Sequence, residues 1–273
     1  MYKREFSFIA TSEGLTGGVS DNGSRYQINF LNEPIRIPSD AHNINLCVDN
    51  ASLWWISPNI YETKDKQNNL LYVIAPDTND VNQAVQIAIP QGLYDIDTLS
   101  NAINVQLENA GFKFSPDPVL TLEADNATQK TIIRFNYPNM SIDFTQPNTL
   151  RTILGFDSVV LQNLLNVPQN FISPNTALFS VIDSFYINTD LITSGLRVNT
   201  RYTLAVAKVN INVAVGFQIL YSPNNPTLIP CPDLRGINKS SFSVWITDQN
   251  FNPVFLTGYP TSVQFKISYD INH

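Results

Sequence analysis

With 273 residues, 43% of them hydrophobic, the chain can hold one large all-β domain, or a sandwich with a sizeable insertion, around a real core. A net charge of −7 and a pI near 4.7 exclude phosphate reading as the main task. The 16 basic residues are scattered, and their densest spot, Lys64 and Lys66 around Asp65, reads as a solvated loop.

Only 14% of residues are charged, Asn is abundant, and 17 prolines with 11% aromatics suit short strands joined by many loops. A low-charge surface of this kind suits burial against other protein. Residues 1–23, of mixed polarity and then rich in glycine (Gly14, Gly17, Gly18, Gly23), read as an N-terminal arm that orders against a partner. Alternation begins at Tyr26–Phe30, continues at Ile35–Ile37 and Asn43–Val48, and reaches Leu53-Trp54-Trp55-Ile56. Leu70–Ala75 and Val85–Ile89 predict a hairpin around 76–80.

The one convincing amphipathic helix follows. Ile96, Leu99, Ile103 and Leu107 recur at spacings of three and four, Asp95 can cap the start, and Gly111 can end it. Strands are expected at 119–122, 131–135 and 141–144, then a short helix at 149–154 closed by Gly155, with Phe156 folding back on it. Residues 157–178 have no clean period and carry two prolines, and read as an insertion or long loop. Strand patterns resume at 184–187, 202–215, 217–221, 241–246 and 263–269. The expected fold is all-β: an antiparallel two-sheet sandwich, a single jelly roll over 24–273, with one amphipathic and one short helix inserted and no linker marking a second independent domain.

No motif carries catalysis. His42 lies five residues from Cys47 on a strand-like segment, a spacing that does not aim both side chains at one point, and His273 is terminal. A nucleophile elbow, a zinc-protease helix and a phosphate-binding glycine loop are all missing from the sequence. Asp95 and Asp97 are accounted for by capping, and the Asp77–Asn82 loop lacks the glycine and closing glutamate of a calcium loop. Trp54, Trp55 and Tyr61 could stack a sugar, but adjacent strand residues face opposite ways, so at least one Trp belongs to the core. No enzyme activity, cofactor or metal is expected. Two cysteines, Cys47 and Cys231, are too few for a disulfide framework; a bond between them stays open, and two free thiols in a reducing compartment is the simpler reading. The opening MYKREFSFIATSEG lacks the apolar core of a signal peptide and no stretch reaches membrane-spanning length, so the expected location is the cytosol or nucleus of the producing cell.

Several short segments form an ordered series: Pro34-Ile35-Arg36-Ile37-Pro38; Pro58-Asn59-Ile60; and Ile89-Pro90, Gly92, Tyr94, Ile96, Leu99, Ile103, Asn104, Leu107 and Gly111. Ile153-Leu154-Gly155-Phe156, Asp190-Leu191-Ile192 and Thr247-Asp248-Gln249 follow. Read in order, these segments resemble the penton (minor capsid) proteins of virophages and Polinton-like viruses. The order of the matches, over about nine-tenths of the chain, carries the resemblance more than any one of them. It implies a single jelly roll standing at each fivefold vertex of an icosahedral virion as a homopentamer, assembled inside the host cell. Its neighbours would be double-jelly-roll major capsid proteins, with a host-surface receptor as a further partner, and with no direct nucleic-acid contact. Closing a ring needs two different patches per subunit, so opposite flanks of the sandwich should both be sticky. Phe6 and Phe8 in the arm, with Trp54 and Trp55, are the suspected interface residues, because interface cores favour large aromatics. The alternative is a jelly-roll module that binds carbohydrate or a receptor, such as a viral spike.

Overall fold

The computed structural model describes residues 2–13, 20, 22–30, 33–63, 66–112, 116–165, 167–179 and 182–271. The chain divides into two compact units, one of residues 1–57 with 182–273 and one of residues 58–181. Among the described residues it enters with β1 (Tyr2–Thr11), β2 (Arg25–Asn29), β3 (Ile35–Arg36) and β4 (Ala41–Trp54). The second unit supplies β5 (Leu70–Pro76), β6 (Asn82–Ala88), α1 (Ile96–Asn109), β7 (Leu120–Asp125), β8 (Lys130–Phe135), β9 (Ser141–Asp143), α2 (Arg151–Leu154), β10 (Val160–Gln162) and β11 (Gln169–Ile172). The first unit resumes with β12 (Ser184–Thr189), β13 (Arg197–Val198), β14 (Arg201–Tyr202), β15 (Ala205–Asn210), β16 (Gln218–Tyr221), β17 (Ile229–Pro230), β18 (Asn238–Lys239), β19 (Ser241–Asp248) and β20 (Ser262–Ile271).

Two large antiparallel sheets build the first unit, with the short pairs β13-β14 and β3-β18 beside them. One runs β1-β20-β4-β16, with β17 also on β4, and the other runs β15-β12-β19-β2. With these eight principal strands counted in chain order, the sheets read 1-8-3-6 and 5-4-7-2. That is the jelly roll, two interlocked Greek keys. The expected sandwich is therefore present, but it is assembled from two separated stretches of chain.

Residues 2–11, expected within an arm, instead form β1, paired with β20 from Tyr2↔Ile271 to Thr11↔Ser262. The run Glu5-Phe6-Ser7-Phe8-Ile9-Ala10 does alternate, but its partner lies at the other end of the sequence, where local pattern could not find it. Residues 14–19 and 21, which hold Gly14, Gly17 and Gly18, lie outside the described residues.

Strand β4 decides which tryptophan enters the core. Ile44, Leu46 and Val48 face inward on even positions. The register against β20 then jumps, Gln264↔Asn50 following Phe265↔Val48, so Asp49 is the extra residue of a β-bulge. A one-residue slip moves the following side chains to the other face, so Ala51, Leu53 and Trp55 are the buried ones.

In the second unit the sheets run β10-β9-β5-β6 and β11-β8-β7, and α1 packs on β7 and β6. The helix buries Leu99, Ile103 and Leu107 as its spacing predicts, with Ile96 half-buried at its start. Buried Asn104 fills the fourth inward position, donating from Nδ2 to the Ser100 carbonyl at 2.9 Å and the Leu120 carbonyl at 2.8 Å. Asp95 accepts from the Thr98 amide at 2.8 Å, and the Thr98 hydroxyl accepts from the Asp95 amide at 2.9 Å, a reciprocal cap. Replacing Asp95 by Ala should cost about 1 kcal/mol in urea unfolding at neutral pH. Its bonds with the Thr98 side chain and amide hold the carboxyl below its usual range. The folded-state pKa being the lower one, this stabilisation is complete above about pH 4 and fades as pH falls through the folded value. The gap between parent and Asp95→Ala should therefore narrow in acid.

The short helix ends as expected. Gly155 has φ of 76°, the Phe156 amide donates to the Arg151 carbonyl at 2.8 Å, and Phe156 stacks on Phe144 at 5.3 Å. A Cβ on Gly155 would sit 2.4 Å from the Asn175 carbonyl oxygen. Residues 157–178, expected as an insertion or loop, belong to this unit and give it β10 on β9 and β11 on β8. Among the described residues no helix is long and apolar enough to cross a membrane.

Candidate subunit interface

Edge strand β1 alternates around Phe8. Phe6 and Phe8 are half-buried and turned towards the gap between the sheets, while Ile9 projects outward, 63% exposed. Phe8 stacks on Phe265 of its neighbour β20 (5.5 Å, 25°) and meets Phe242 of β19 edge-on (5.5 Å, 76°). Phe30, just after β2, is edge-on to Phe8 at 6.0 Å and stacked on Phe242 at 5.7 Å. Rings from both sheets thus close the open side of the sandwich. Outside them lies a hollow of about 590 Å³ lined by Phe6, Phe8, Phe30 and Glu33 to Arg36.

The opposite edge of the same sheet exposes large apolar side chains too. Beside and within β16, Phe217 is 63% and Leu220 72% exposed. No charged residue occurs between Lys208 and Asp233, the stretch that contains this edge. A charge-depleted patch with large apolar side chains is the composition of an interface core.

Trp55 lies inside its own unit, 5% exposed and 5.9 Å from the Phe185 ring. Trp54 points the other way, lies tilted against the half-exposed Tyr259 ring at 5.3 Å, and keeps a buried Nε1 without a hydrogen-bond partner. The pair splits across the sheet, so only Trp54 can serve an outer surface. Tyr61, the third member of the imagined sugar platform, belongs to the second unit, where Lys66 lies 5.5 Å from its ring; Lys64 and Asp65 lie outside the described residues.

The remaining reactive groups serve local structure. His42 Nδ1 lies 3.4 Å from the Asp40 carbonyl, and Cys47 on the same strand is buried. Burial pushes the Cys47 thiol up, and that of Cys231 up to about 12; both cysteines are free. Asp77 accepts from the amides of Asn79 at 2.8 Å and Val81 at 3.0 Å, so its carboxylate shapes the hairpin turn. Among the described residues no three His, Cys, Asp or Glu side chains gather as metal ligands. His273 lies outside them.

No family model and no curated protein matches the chain. Among solved structures it is similar to the mavirus penton protein, with 13% identity and a TM-score of 0.48, over 98% of this chain and 100% of that one. It is also similar to a chain of the Sputnik virophage structure, with 12% identity and a TM-score of 0.42, over 97% of each chain.

The motif residues singled out in the sequence act as staples of the two units. Asn59 donates to the carbonyls of Tyr94 at 2.7 Å and Phe179 at 2.9 Å, while its Oδ1 accepts from the Tyr94 amide at 3.0 Å. Asp190 accepts from the Ser243 amide at 2.8 Å, and Asp248 accepts from the amides of Asn250 and Asn252, both at 2.8 Å. Sequence pattern flagged these positions but not their work, because each bond spans distant segments or a loop. Phe217 and Leu220 were not singled out as surface residues, since an exposed edge reads like any other strand.

Proposed function

We propose that this protein is a structural subunit of an icosahedral virion, a single jelly roll that closes into a homopentameric ring at the fivefold vertices. In that role it is a building part rather than an enzyme, and its outer neighbours are double-jelly-roll major capsid proteins. The observation that carries the ring is the pair of unlike edges on one sheet: Phe6, Phe8 and exposed Ile9 beside charged Lys3, Arg4 and Glu5 on one side, and Phe217 and Leu220 in a stretch without charged residues on the other. Two unlike patches on opposite flanks make a head-to-tail contact, and such contacts either close as rings or run on as filaments. The order of penton-like motifs along the chain supports five as the ring number, and the jelly roll is the fold that role requires.

Light scattering across a range of protein concentration tests the reading. A discrete five-subunit species, or a rise towards one, is expected. A dimer or trimer that persists at the highest concentration would overturn the ring and favour a spike or receptor-binding module.

A further inference from the structure

The second unit contains a pit that the assembly reading does not use. It opens between the start of α1, the turn joining β7 to β8, and residues 176–179, and its volume is about 570 Å³. That falls within the range of about 300–1,000 Å³ typical of small-molecule sites. Apolar surface comes from Ile96, Ala124, Leu178 and the Phe179 ring, and neutral polar groups from Asn126, Gln129 and Thr176.

The walls are fixed by the framework. The Ala177 amide donates to the Gln129 carbonyl at 2.8 Å, the Leu178 amide to the Ile153 carbonyl at 2.8 Å, and the Phe179 carbonyl accepts from Asn59 at 2.9 Å. Two carboxylates line the pit, Asp95 and Asp125, each anchored by a threonine. The Thr128 hydroxyl holds Asp125 below the usual carboxylate range, as Thr98 does Asp95. Lys130 also lines it. Thr131 is a further lining residue, wholly buried, and its Oγ1 has no hydrogen-bond partner. That hydroxyl has no accessible surface, so the groups a ligand can meet are the carboxylates, Lys130, the side chains of Asn126, Gln129 and Thr176, and the apolar wall.

From this combination we infer a binding site for a neutral saccharide. Two ionised carboxylates disfavour an anion, and one lysine beside them weakens the case for a cation. A pyranose offers what the lining lacks: hydroxyl donors for carboxylates, hydroxyls that both give and accept at the amides, and a C–H face for Phe179 and Leu178.

Saturation-transfer NMR of the full chain with the methyl glycosides of glucose, galactose, mannose and N-acetylglucosamine tests this at millimolar sugar. At least one should receive saturation. Ala124→Trp, on an exposed lining position, should abolish the signal in a chain whose amide spectrum stays folded. Silence with all four sugars, or equal signals from parent and Ala124→Trp, would overturn the site. Neither result bears on ring formation, which depends on the other unit.

Discussion

Ile9→Asp and Leu220→Asp, each alone, should leave the protein monomeric where the parent forms its ring, and an equal mixture of the two should form dimers and stop. Each variant spoils one edge and keeps the other, so the good β16 edge of one meets the good β1 edge of its partner. Their remaining edges both carry the misplaced carboxylate. Burying an unpaired charge costs at least about 3 kcal/mol, which is roughly 150-fold in affinity. Analytical ultracentrifugation of the two variants and the mixture reads all three outcomes. Rings from either variant, or no dimer in the mixture, would sink the two-edge interface. If only one variant lost assembly, the contact would be a self-complementary dimer instead. Both positions are more than 60% exposed, so the substitutions should leave the fold standing.

The tryptophan pair gives the second large effect, and an unequal one. Trp55→Ala should cost about 3–5 kcal/mol, because it empties a core position against Phe185. That is a large part of the roughly 5–15 kcal/mol that holds a typical domain, so the first unit should unfold at much lower urea. Trp54→Ala loses only a half-buried ring against Tyr259 and should stay folded. Near-equal losses of urea midpoint in the two variants would contradict the inward phase that the Asp49 bulge imposes on the end of β4. Assembly of the folded Trp54→Ala protein then reports whether that face takes part in subunit contacts.

Much of the architecture was legible where it depends on neighbours in sequence. The helix face Leu99, Ile103, Leu107, the Asp95 cap and the Gly155 ending all rest on spacings of a few residues and stand as read, while the Phe156 ring stacks on Phe144, outside the short helix. The alternation that marked β4 was visible, but the bulge was not, because an extra residue declares itself only against the partner strand. The two units escaped detection for a similar reason. The loops at the two boundaries read like any others, with no linker or marked shift in composition, and the partner that makes β1 a strand rather than an arm lies in residues 262–271. Suspected interface residues fared unevenly. Phe6 and Phe8 lie on a surface hollow, while the choice between Trp54 and Trp55 required the register.

The position of β20 bears on the order of events during synthesis. This strand lies between β1 and β4, so the sheet that holds both edges cannot close until residues 262–271 have been made. Residues 58–181 hold a core of their own and are complete long before that, so they can collapse while the flanking strands still wait for partners. The long loop closures of the jelly roll make it the slower unit to form. The β1 flank therefore joins the sheet only when β20 has been made, after every other strand of the sandwich, which would delay the proposed ring contact until then.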